Sequence, residues 1–119
     1  MTVLVVEDNE KNLKLVRDVL EASGYRTLAA TSGEEAVETA WTHVPALVLM
    51  DVRLPGIDGV EALARLRGDE RTASIPVLAV TAQAMHGDRA RFLAAGFDGY
   101  LSKPLDIAEL VAAVARYTA

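Results

Sequence analysis

Apolar residues in this chain fall into two alternating rhythms. Short continuous runs at residues 3–6, 27–30, 47–50, 76–80 and 100–102 have the length of strands. The run 47–50 (Leu-Val-Leu-Met) reads as a strand buried on both faces. Between these runs the spacing turns helical. Leu13, Val16 and Leu20 share one face, then Ala36, Val37, Ala40 and Trp41, then Leu63 and Leu66, and finally Leu110, Val114 and Tyr117. Helix-forming residues over about 86–95 supply the fourth of five helices. Polar punctuation agrees with these limits. Ser32 with Glu35, Asp58 with Glu61 and Asp106 with Glu109 read as helix starts, while Gly24, Pro45 and Gly96 mark ends. Residues 68–74 read as a polar surface loop.

Five repeats of strand then helix, with short connections, predict an α/β fold with a parallel sheet covered on both faces. Right-handed crossovers narrow the topology. The flavodoxin-like (βα)5 doubly wound sheet, strand order 2-1-3-4-5, is the natural candidate, with its switch point between strands 1 and 3. Residues 1–119 read as one domain.

Composition removes several function classes. The 119 residues are 51% hydrophobic, enough for a core without staples. The absence of cysteine excludes disulfides and zinc–thiolate sites. No apolar run approaches membrane-spanning length. Met1-Thr2-Val3 enters a strand directly, without the basic segment of a signal peptide. These features predict a cytoplasmic protein with no membrane insertion. A net charge of -5 and an aromatic content of 5% argue against direct nucleic-acid binding.

The chemistry gathers where strands end. Glu7 and Asp8 follow strand 1, Asp51 follows strand 3, Thr81 ends strand 4 and Lys103 ends strand 5. In a parallel sheet all of these are carboxyl ends, so they converge on one edge. Three carboxylates so placed repel one another unless their pKa values rise or a cation neutralises them. An all-oxygen set suits a hard ion, Mg²⁺ (or Mn²⁺). A lysine and a hydroxyl opposite the acids then suit phosphoryl oxygens. Together they provide what aspartyl-phosphate chemistry requires: a carboxylate to attack phosphorus and cations to offset the moving charge.

Four motifs carry a resemblance: Val5-Val6-Glu7-Asp8-Asn9, the run 49–59 (Leu-Met-Asp-Val-Arg-Leu-Pro-Gly-Ile-Asp-Gly), Val80-Thr81-Ala82, and Tyr100-Leu101-Ser102-Lys103-Pro104. In this order and on this frame they resemble the response-regulator receiver domains of two-component signalling, over nearly the whole chain. The resemblance implies that Asp51 is the phosphoacceptor, charged by a histidine kinase or histidine phosphotransfer protein. It implies that Asp8, Asp51 and the backbone carbonyl of Arg53 ligate Mg²⁺, with Glu7 acting through water. Glu7 stands where many members carry Asp. Lys103 would bind the phosphoryl group, and the Lys103–Pro104 peptide would be cis. Thr81 and Tyr100 would form the switch, altering the face made by helix 4, strand 5 and helix 5, where a downstream partner binds. Arg53 and Gln83, two residues beyond Asp51 and Thr81, would rim the pocket and tune water access. The domain would catalyse its own phosphoryl transfer and autodephosphorylation without being an enzyme in the usual sense.

Two other classes compete. A haloacid-dehalogenase-like phosphatase also uses an Asp after a buried strand with Mg²⁺, but its second carboxylate would fall at Arg53. A pseudo-receiver would act without phosphorylation, yet Asp8, Asp51, Thr81 and Lys103 are all retained. A flavin-binding relative would need a Ser/Thr/Gly-rich loop after strand 1, which is absent. His43, His86, Arg65, Arg89 and Arg91 read as solvated, Trp41 as core, and Arg67-Gly68-Asp69 as a chance match to an adhesion tripeptide. Because Met1 opens strand 1 directly, a stand-alone receiver is expected ahead of the alternative, a fragment of a larger regulator or of a hybrid kinase.

Overall fold

The computed structural model describes residues 1–82 and 88–119, so the expectations for Gln83 and His86 lie outside the described residues. Five strands, β1 (Thr2–Val6), β2 (Arg26–Ala30), β3 (Leu47–Asp51), β4 (Val77–Thr81) and β5 (Gly99–Ser102), alternate with five helices. These are α1 (Glu10–Ala22), α2 (Gly33–His43), α3 (Gly59–Arg67), α4 (Asp88–Ala95) and α5 (Ile107–Thr118). The strands form one parallel sheet, as the alternation of rhythms predicts, in the flavodoxin-like candidate order β2-β1-β3-β4-β5. Its switch point lies between β1 and β3.

Side-chain alternation along each strand supplies two cores. Leu4, Val6, Val48, Met50, Val77 and Ala79 face α2, α3 and Phe92 of α4, whereas Val3, Val5, Leu47, Leu49, Leu78 and Val80 face α1 and α5. Ala36 and Ala40 of α2 and Ala62 of α3 are fully buried, and their small side chains let these helices seat closely. Each fully buried leucine, such as Leu20, Leu63 or Leu66, contributes roughly 1.5–3 kcal/mol.

Local chemistry sets the helix ends. Asn9 caps α1 by accepting from the Lys11 and Asn12 amides. The helix closes on Gly24, at φ +95°, with Gly24 N–H donating to Glu21 C=O and Tyr25 N–H to Leu20 C=O. Ser32, Asp58 and Asp106 each accept from the amide three residues on, capping α2, α3 and α5.

Two local expectations need correction. The stretch 68–74 is not wholly a surface loop: Thr72 is fully buried, and its hydroxyl donates to Leu66 C=O at 2.6 Å. A local carbonyl acceptor lets this polar side chain go inside. Strand β5 begins at Gly99, one residue early, because the preceding amide of Asp98 donates to Val77 C=O and opens the ladder. Trp41 packs against the α2–α3 core, with the Arg71 guanidinium 5.5 Å over its ring. Among the described residues, no helix is long and apolar enough to cross a membrane.

Candidate functional site

Three strand ends build the site. At the close of β1, Glu7 N–H donates to Ala30 C=O, so this residue still belongs to the sheet and its side chain is buried. Asp51 is the last residue of β3, in register with Val80, and is only 5% exposed. The Val52 amide continues the ladder by donating to Val80 C=O, after which Pro55 and Gly56 turn the chain away. Beyond β5, Lys103 N–H donates to Thr81 C=O at 2.9 Å, fixing the lysine beside the end of β4. The Lys103–Pro104 peptide is cis.

The Lys103 ammonium sits between two carboxylates. Its Nζ donates to Glu7 Oε1 and to Asp51 Oδ2, each at 2.9 Å. The other Asp51 oxygen accepts from the Arg53 amide at 3.1 Å. Asp8, exposed at the mouth, completes a set of three acids whose oxygens lie within 4.8 Å of one another. A cleft of about 330 Å³ opens above them, with Asn12, Arg53, Thr81 and Ala82 in its walls.

Electrostatics follow from burial. Burial pushes the Glu7 carboxyl above its ordinary value, the adjacent Asp51 carboxylate pushes the same way, and Lys103 opposes both. Burial alone would pull the Lys103 ammonium down; its hydrogen bonds to Glu7 and Asp51 outweigh this and hold it above its usual value. One lysine thus serves two buried acids and leaves negative charge uncompensated. Glu7 Oε2 is buried with no hydrogen-bond partner among the described residues. A buried carboxylate oxygen facing other carboxylates fits a cation as its partner. The donors are all oxygen, which suits Mg²⁺.

Glu7, Asp8, Asp51, Arg53, Thr81 and Lys103 therefore come together at one edge, and Thr81 is buried there. Tyr100 lies apart from the cleft, half-buried against the core on the α2–α4 side and in register with Ala79. Asn9 and Asn12 also line the cleft, and the sequence reading gave neither a role. The cap position of Asn9, directly before the helical rhythm of α1, was the available signal.

An acid-rich cleft with one lysine, at the carboxyl edge of a five-stranded doubly wound sheet, defines a class of phosphoryl-handling domains. The sequence profile of the response regulator receiver domain matches residues 3–115, and the chain belongs to that family. It is 46% identical over 116 residues to the polar-differentiation response regulator DivK of Brucella ovis, covering 98% of this chain and 94% of that protein. Among solved structures, a response regulator of Chloroflexus aurantiacus superposes with a TM-score of 0.92 at 35% identity, covering 98% of this chain and 96% of the other. The receiver domain of a sensor histidine kinase from Pseudomonas aeruginosa PAO1 gives 0.91 at 38% identity, with the same coverage. That structure has a magnesium ion coordinated in its active-site cleft. The chain is thus a receiver domain of two-component signalling, which sets aside the phosphatase alternative.

Proposed function

We propose that this chain is a phosphoacceptor switch in which Asp51 receives a phosphoryl group from a phosphohistidine of a kinase or phosphotransfer protein. The observation that carries the reading is the Lys103 ammonium held at 2.9 Å from both Glu7 and Asp51, inside a three-acid cluster. An Asp51 oxygen attacks phosphorus, the bond from phosphorus to the donor imidazole breaks, and the imidazole leaves with the bonding electron pair. Lys103 has only to pivot from its carboxylates to a phosphoryl oxygen, and the Thr81 hydroxyl at the neighbouring strand end takes another. Asp8, Asp51 and the Arg53 carbonyl would hold Mg²⁺ (or Mn²⁺) directly, and Glu7 through water. When bound, the ion supplies positive charge to the phosphoryl oxygens. Autodephosphorylation is attack of water on the same phosphorus, returning Asp51 and releasing phosphate.

The output follows from what Thr81 and Tyr100 border. Movement of Thr81 toward the phosphoryl group leaves space that Tyr100 fills, which reshapes the groove of about 460 Å³ between α4, β5 and α5. Leu93, Ala113 and Arg116 line that groove, giving a downstream protein both apolar and charged contacts. We take the cytoplasm as the place of action.

The test is the intact mass of the protein after incubation with acetyl phosphate and Mg²⁺, beside Asp51→Asn. A single phosphoryl adduct that requires Mg²⁺ and is absent from Asp51→Asn is expected, with amide NMR shifts spreading to Tyr100 and α5. No adduct on the wild-type chain, under conditions that label another receiver, would leave a phosphorylation-independent interaction module as the better description.

A further inference from the structure

The loop that follows Asp51 is gripped from outside the site. Residues 52–58 carry Arg53 across the mouth of the cleft and then enter α3. One end is fastened within the sheet edge, where Val52 N–H meets Val80 C=O and Val52 C=O accepts from Gly59 N–H at 2.9 Å. The other end is fastened by a different element. Glu34, in the first turn of α2, accepts the Ile57 amide on Oε1 at 3.1 Å.

The carboxylate of Glu34 also lies directly over Gly56. A Cβ at Gly56, whose φ is +74°, would stand 2.4 Å from Glu34 Oε2 and 2.5 Å from Oε1. The neighbouring Gly33 is equally tight: a Cβ there would fall 2.5 Å from the Ile57 carbonyl oxygen. The first turn of α2 and the tip of the loop are therefore in direct backbone contact, and Glu34 is the side chain that locks them. It does not line the cleft.

We infer that Glu34 is a positioning residue for the divalent-cation site. By tethering Ile57, it fixes the backbone segment from which Arg53 offers its carbonyl. This inference rests on the reading of Asp8, Asp51 and the Arg53 carbonyl as the ligands of Mg²⁺. A ligand that is a backbone carbonyl has no rotamer of its own, so its position is set by what pins the loop. Outer groups of this kind typically change metal affinity by about 10–100-fold when removed.

Three substitutions separate reach from charge, read by calorimetric titration with Mg²⁺ alone. Glu34→Ala removes the acceptor. Glu34→Asp keeps the charge at the helix start but is one methylene short of Ile57. Glu34→Gln keeps both reach and an acceptor oxygen while losing the charge. Glu34→Ala and Glu34→Asp are expected to weaken Mg²⁺ binding by about tenfold, at the low end of the range for outer-sphere partners, with Glu34→Gln close to wild type. Hydrogen exchange at the Ile57 amide should accelerate in the same two variants.

Wild-type affinity in Glu34→Ala would overturn the inference. So would the reverse pattern, with Glu34→Asp normal and Glu34→Gln weak, which would make Glu34 a distant charge and not a tether. Failure of the wild-type chain itself to bind Mg²⁺ would instead overturn the proposed metal site, a result distinguishable from either of these.

Discussion

Val44 holds a backbone conformation that its own side chain disfavours. It caps α2 in the left-handed region at φ 44° and ψ 66°, donating its amide to Ala40 C=O at 2.9 Å. A β-branched residue there crowds its carbonyl, at roughly 1–2 kcal/mol. The side chain is half exposed, so little burial offsets that strain. Glycine relieves the clash but brings a larger unfolded-state entropy, about 0.4–1 kcal/mol. Val44→Gly should therefore stabilise the chain by about 0.5–1 kcal/mol, raising the thermal midpoint by roughly 2–4 °C. A midpoint that stays the same or falls would show that the left-handed cap is not strained. The sequence announced the end of α2 through Pro45, but Val44 gives no sign of this geometry, because its side-chain type argues against it.

At the level of elements, the least anticipated feature is the last turn of α3. Arg67 belongs to a tripeptide read as a chance match, and the structure gives it a different occupation. Its guanidinium donates to the carbonyls of Ala73, Ile75 and Gly96 and pairs with Asp98 at 2.9 Å. The same Asp98 oxygen accepts the Val77 amide, and the Tyr117 hydroxyl donates to Asp98 C=O. One planar fork thus fastens α3 to the starts of β4 and β5. Arg67→Ala should cost about 3 kcal/mol in urea unfolding, since several carbonyls lose a charged donor at once. Arg67→Lys should recover less than half, because an ammonium cannot span those acceptors. A loss under 1 kcal/mol for the alanine variant would refute this account. The acids of the site were legible because each follows a strand-length apolar run. Arg67 was not, since its partners at Gly96 and Asp98 are 29 and 31 residues away.

Across the whole molecule, the chain carries a net charge of -5, and the carboxyl edge of the sheet concentrates three acids against one lysine. A cation bound only by the folded chain stabilises it by mass action, by about 2.7 kcal/mol at a hundred times its dissociation constant. For a domain of this length that is roughly a 10 °C rise in thermal midpoint. Mg²⁺ should produce the shift, a chelator should abolish it, and Asp8→Asn should reduce it sharply. An identical midpoint with and without Mg²⁺ would count against the site. The parallel α/β frame and the convergence of Glu7, Asp8, Asp51, Thr81 and Lys103 on its carboxyl edge were readable from alternation, whereas the strand order was a candidate that alternation alone does not fix. The sharing of Lys103 between Glu7 and Asp51 was not, because it depends on how deeply both acids are buried, which no spacing encodes.

That shared lysine also sets when, in the making of the protein, the acid cluster is complete. Lys103 meets Glu7 across 96 positions of sequence and Asp51 across 52. During synthesis the Asp51 carboxylate emerges well before its cation, and β5 must join the sheet before the lysine can reach it. A nascent or broken chain therefore displays the aspartate without the ammonium that pairs with it. Only a chain whose sheet is finished brings the three acids and their lysine to one edge.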